Sequence, residues 1–85
     1  MKPTVKYRKL GREKAYGLAW GHMDNGKWIP VGKIEIDPRQ SEKELLDTIT
    51  HEALHTELPD LSEESVMRVA GVIADLIYKA GYRKK

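Results

Sequence analysis

The hydrophobic positions of this chain change their period at Pro38. Before it, β-branched and aromatic residues recur in short runs with partial alternation, clearest in Ile34-Glu35-Ile36. After it, apolar residues recur with the spacing of a helix face. The first regime predicts strands over Ala15 to Gly21 and Trp28 to Asp37, with a weaker one over Thr4 to Lys9. Asp24-Asn25-Gly26 between them is a hairpin signal, because Asn and Gly tolerate the positive φ of tight two-residue turns. Such a turn at Asn25-Gly26 would set Leu18 opposite Lys33 and so mix apolar with charged positions on one face. Either a bulge or longer loop resets the register, or the two strands are not direct neighbours.

Ser41-Glu42-Lys43-Glu44 is a capping box, which predicts a helix opening just after Pro38. Leu45, Leu46, Ile49 and Ala53 fall on one side of it and should pack on the sheet. Pro59 has no N–H to donate and clashes with the preceding turn, so the helix should stop near Glu57 or Leu58. Asp60 or Ser62 can cap a second helix with the apolar set Val66, Val69, Ala70, Ile73, Leu76 and Ile77, closed by Gly81. The expected fold is α+β: a short antiparallel or mixed N-terminal sheet packed on one helix, followed by a second, C-terminal helix.

Composition narrows this picture. At 85 residues the chain forms one domain with a modest core, a size at which a metal or a partner subunit often supplements folding energy. There is no cysteine, so disulfides and thiolate metal sites are excluded, and any metal must be held by imidazole and carboxylate. Fifteen Lys and Arg against thirteen Asp and Glu leave a net charge of +2, too small to argue for nucleic acid. The basic residues at Lys2 to Lys14 and Arg83-Lys84-Lys85 read as solvated tails. The start carries no apolar signal region and no stretch is long enough to span a membrane, so a soluble, cytoplasmic protein is expected. Trp20 and Trp28 are expected in the core rather than as partner contacts.

His51-Glu52-Ala53-Leu54-His55 matches the pattern H-E-x-x-H. Residues four apart on a helix stand one turn above each other, so both imidazoles can converge on one tetrahedral ion. They project roughly opposite to Leu45, Leu46, Ile49 and Ala53, which turns them toward the second helix. Glu52 projects to the flank of that face, as suits a base that takes a proton from activated water and returns it to a leaving group. A third ligand is needed. Glu63 lies beside Ala70 and Ile77 on the inward stripe of the second helix and is the choice; Glu64, Asp60 and His22 remain alternatives. Tyr16, His22, Arg68, Tyr78 and Tyr82 are all candidates to stabilise an oxyanion.

With these residues in view, the chain resembles small phage and bacterial zincin-like proteins and, more distantly, the minimal gluzincin peptidases. The likeness runs from Gly32-Lys33-Ile34-Glu35-Ile36-Asp37-Pro38 through the H-E-x-x-H pattern to Asp60-Leu61-Ser62-Glu63-Glu64-Ser65-Val66. It implies a single zincin-like metallopeptidase domain over residues 1–85, with Zn2+ on His51, His55 and Glu63 or Glu64, and Glu52 as the catalytic base. It further implies that the strand Lys33 to Asp37 pairs with an extended peptide, so that the partner is a peptide or protein substrate. The chain departs from larger gluzincins in lacking their long spacing to the third ligand and their C-terminal subdomain. A zinc-stabilised, non-catalytic binding module and a metal-free interaction domain are the rival expectations.

Overall fold

The computed structural model describes residues 4–11 and 16–82. Most of the basic residues near the two ends, and Ala15, lie outside them. Three strands, β1 (Thr4–Tyr7), β2 (Gly17–Asp24) and β3 (Lys27–Ile36), precede two helices, α1 (Glu42–Glu57) and α2 (Glu63–Lys79). The sheet order is β1-β3-β2, with β1 parallel and β2 antiparallel to β3, so the fold is α+β with a mixed sheet. No helix among the described residues is long and apolar enough to cross a membrane.

The hairpin forms where its signal stands. Asp24 pairs with Lys27 across Asn25 (φ 52°) and Gly26 (φ 77°), two successive positive φ values that match the twist of the flanking strands. The register then shifts between Trp20 and Gly21: Gly21 pairs with Pro30 but Trp20 with Lys33, leaving Val31 and Gly32 outside the ladder. Gly32, at φ 78°, accommodates this bulge. A two-residue offset preserves the alternation of faces. Leu18 therefore moves from Lys33 to Glu35, still a charged partner, and the mixing of faces is real.

The helix-facing side of the sheet carries Ile34 and Ile36, at 1% and 0% exposure, which form the core with Leu45 and the partly buried Ile49 and Ala53. The opposite side carries the charges. There Glu35 is 4% exposed, gripped by the Arg8 guanidinium and by Trp20 Nε1 at 2.6 Å, while the Lys33 ammonium sits 4.9 Å from the Trp20 ring. Trp20 is thus a half-exposed strut on the outer face, not a core residue. Asp37, just past β3, accepts from the backbone N–H groups of Leu10 and Arg39 and from the Arg39 guanidinium, fastening the chain after β1 to the start of the helical half.

One expectation fails here for a topological reason. Lys33 to Ile36 is the heart of the central strand, bonded by β1 on one side and β2 on the other, so it has no edge to offer a peptide. Strand order depends on pairing across distant sequence and is invisible to local pattern. The open edge beside the helices belongs to β2. Asp37 N–H donates to the Tyr16 carbonyl, so by antiparallel alternation the peptide groups of Gly17 and Ala19 point away from β3.

The helices begin and end as their caps dictate. Ser41 and Glu44 exchange both capping-box bonds, and α1 stops at Glu57 with Leu58 as its cap. Ser62, not Asp60, caps α2 by accepting from Ser65 N–H. Gly81 follows the α2 cap with φ 96°. Helix α1 lies across β2 and β3, whereas among the described elements α2 packs on α1 alone. Its buried stripe is Val66, Ala70 and Ala74; Leu76, expected inward, is 62% exposed, because the contact follows the i, i+4, i+8 row and leaves position 76 on the far flank.

Candidate metal centre

One turn of α1 and the first residue of α2 build the site. Leu61 N–H donates to the Leu58 carbonyl in a tight turn around Pro59, which brings Glu63 back beside the helix that the chain has just left. His51 Nε2 lies 2.8 Å from Glu63 Oε1 and His55 Nε2 lies 2.8 Å from Glu63 Oε2. The two Nε2 atoms are themselves 3.1 Å apart, with the rings edge to face.

This convergence has a chemical consequence. If each Glu63 oxygen accepted from an imidazole, both Nε2 atoms would carry hydrogens and would face each other at 3.1 Å, donor against donor. A cation shared by the two rings and the carboxylate removes the conflict. Ligands at about 2.0–2.1 Å from a tetrahedral ion stand roughly 3.3 Å apart, so the trio needs to open by only a few tenths of an ångström. His51, His55 and Glu63 are therefore a group able to hold a metal ion, partly shielded at the two imidazoles, whose side chains are 21% and 25% exposed.

Glu52 stands beside this trio, not in it. Its side chain points at the start of β2, where Gly17 makes the approach possible: a Cβ there would lie 2.9 Å from Glu52 Cγ and 2.6 Å from Thr48 Cγ2. Burial raises the affinity of Glu52 for a proton above that of an ordinary carboxyl, opposed by the nearby His55 ring, reinforced by the negative charge of Glu63 and eased by the Ala19 N–H. A half-sequestered carboxyl with a raised pKa next to a candidate metal is equipped to accept and return a proton.

Two hollows flank Glu52 along the open edge of β2. One, of about 370 Å³, is lined by Tyr16, Gly17, Asp47, Thr48, His51, Glu52, Glu63 and Met67. The other, of about 310 Å³, is lined by Gly17, Leu18, Ala19, Trp28, Glu52 and His55. Of the five oxyanion candidates, Tyr16 lines the cleft; His22, Arg68, Tyr78 and Tyr82 line neither hollow. His22 is exposed on the hairpin opposite Ile29, and Asp60 and Glu64 are exposed outside the cluster. Tyr16 is held in place through its backbone: its carbonyl accepts from Asp37 N–H and from Gln40 Nε2, and Gln40 in turn accepts from Thr48 Oγ1 on α1.

The structure brings in residues that the sequence reading passed over. Asp47 precedes His51 by four and Met67 follows Glu63 by four, so helical spacing already carried the signal for both. Gly17 and Trp28 enter through sheet register, which carried none. The chain matches no family model, no curated protein and no solved structure.

Proposed function

We propose that this chain is a zincin-like metallopeptidase domain, in which His51, His55 and Glu63 hold Zn2+ and Glu52 serves as general base in the hydrolysis of a peptide or amide bond. The observation that carries the proposal is the meeting of three ligand atoms within 4.8 Å of one another beside a carboxyl whose pKa is raised. Two imidazoles and a carboxylate, without thiolates, form a donor set suited to zinc that keeps a position open for water.

Zinc, when bound, supplies an activated water and polarises the scissile carbonyl. With zinc held by His51, His55 and Glu63, Glu52 would be the carboxylate that takes up a proton and returns it to the leaving nitrogen, from a half-buried position beside the ligands. Tyr16, the one oxyanion candidate that lines the cleft, is the residue we assign to hydrogen-bond the developing oxyanion. The peptide groups of β2 that point away from β3, other than the Ala19 N–H already taken by Glu52, would assume the peptide-pairing role that β3 cannot fill and align an extended substrate beside Glu52.

One observation favours a second reading, a zinc-stabilised binding module. Among the described elements α2 packs on α1 alone, and the trio bridges these two helices across a short turn, so a bound ion would itself stabilise the helical pair. Metal analysis together with peptide hydrolysis separates the readings. The zinc-loaded parent should cleave peptides, and Glu52→Gln should retain zinc while losing roughly 10²–10⁴-fold in rate. Zinc at one per chain with no cleavage by the parent would establish the module reading instead, and a parent that binds no zinc would sink both.

A further inference from the structure

The two hollows beside Glu52 differ in charge. The larger one has three carboxylates in its lining, Asp47, Glu52 and Glu63, and neither lysine nor arginine. The smaller one offers the Trp28 ring, Leu18 and Ala19, with Glu52 as its only carboxylate. Of the three acids, Glu63 is engaged by the imidazoles and Glu52 is turned to β2, whereas Asp47 is exposed at the rim with no ion-pair partner among the described residues. The basic residue one helical turn before it, Lys43, is drawn to Asp75 at 3.3 Å and so leaves Asp47 uncompensated. This acidic pocket lies on a chain whose net charge is positive.

We propose that the hollow between Tyr16, Met67 and Asp47 is the subsite for a lysine or arginine side chain of the substrate, on the C-terminal side of the bond that is cleaved. The inference rests on the peptidase reading and deepens it. Its volume falls within the range of about 300–1,000 Å³ typical of ligand clefts. Tyr16 and Met67 supply apolar walls for the aliphatic stem, and Asp47 meets the charged head at the rim, the arrangement in which long basic side chains are most readily accommodated. Direction follows from the sheet. A peptide added to the edge of β2 pairs antiparallel, the more stable arrangement, and β2 runs from Gly17 toward Asp24. The peptide's C-terminal half then lies at the Gly17 end, over the acidic hollow, and its N-terminal half lies toward Ala19 and Trp28.

The test uses the full zinc-loaded chain and three peptides that differ only by lysine, glutamine or glutamate at one position, with products mapped by mass spectrometry. The lysine peptide should be cleaved on the N-terminal side of the lysine and preferred over glutamine by about two- to fivefold in kcat/KM, as befits a partly exposed ion pair. In Asp47→Asn that ratio should fall to about one, and in Asp47→Lys the glutamate peptide should become the favoured one. Cleavage by the parent without preference for lysine, or a preference that survives in Asp47→Asn, overturns the subsite while the peptidase reading stands. The same peptides titrated against Glu52→Gln, followed by tryptophan fluorescence, read the subsite without turnover. Lysine-selective binding there, with no cleavage by the parent, overturns the peptidase reading and keeps the subsite; equal binding of all three overturns the subsite.

Discussion

Two groups of carboxylates sit on opposite sides of the central strand, and they are treated in opposite ways. On the outer face and at the exit of β3, Glu35 and Asp37 are each met by a guanidinium, Arg8 and Arg39 respectively, and by further N–H donors. Hydrogen bonds and opposite charge hold both carboxyls below their ordinary range, led by Arg8 for Glu35 and by Arg39 for Asp37. On the helix side, Glu63 meets two imidazoles and Glu52 lies near that of His55, with no guanidinium on either among the described residues, and burial drives Glu52 upward. Carboxylates already neutralised by cations of the chain are committed to holding β1, β3 and the following loop together. Carboxylates left with imidazoles keep a capacity that an added cation, or a proton in transit, can use.

The sharpest way to break this contrast is to remove an imidazole. With zinc at a hundredfold excess over its dissociation constant, linkage should stabilise the parent by about 2.7 kcal/mol, or roughly 10–20 °C in melting temperature for a domain of this size. His55→Ala should melt at the same temperature with and without zinc in a thermal scan. A zinc-dependent rise that persists in this variant would remove the imidazole pair from the metal site.

Next in size is the seam between the two regions. Gly17→Ala would place a methyl 2.6 Å from Thr48 Cγ2 and 2.9 Å from Glu52 Cγ, forcing α1 off the edge of β2. We expect a loss of about 1–3 kcal/mol in urea unfolding and a disproportionate fall in kcat, since Glu52 shifts with the helix. An unchanged denaturation midpoint would show that the helix and the strand do not touch there.

The outer group is tested by acid. The folded pKa of Asp37 is depressed relative to the unfolded chain, so the stability that it contributes is complete above the unfolded value of about 3.9 and is lost as pH falls from there. Asp37→Asn should therefore be less stable than the parent at neutral pH and should show a shallower decline between about pH 5 and pH 2, measured by denaturant titration. Parallel pH profiles for the two proteins would contradict the ion-pair assignment. Smallest of all, Trp20→Phe deletes the indole N–H that Glu35 accepts while keeping an aromatic ring for Lys33. It should lower the melting temperature slightly and leave zinc affinity and cleavage untouched, because Trp20 faces away from α1.

Much of the site was legible because it is local. His51 and His55 share a helix stripe, the capping box at Ser41 places the helix start, and Pro59 places its end, so the turn that returns Glu63 to the imidazoles follows from short-range rules. Glu63 rather than Glu64 joins the cluster, as the inward stripe of α2 implied. The sheet was less legible. Alternation marked Ile34-Glu35-Ile36 as strand, but it could not assign β3 to the centre, place the bulge at Val31-Gly32 or reveal that Trp20 belongs to the outer face.

By itself, then, the order of residues determined the two helices, the capping box that opens the first and a pair of imidazoles one turn apart, since each depends on neighbours within a few positions along the chain. Only the tertiary structure decided which strand kept an open edge, which glycine let Glu52 approach the sheet and how Asp47, Tyr16 and Met67 came to wall one hollow. These arrangements join residues far apart in sequence, and strand pairing and helix packing select them by the burial and hydrogen bonding of the whole domain rather than of any single segment.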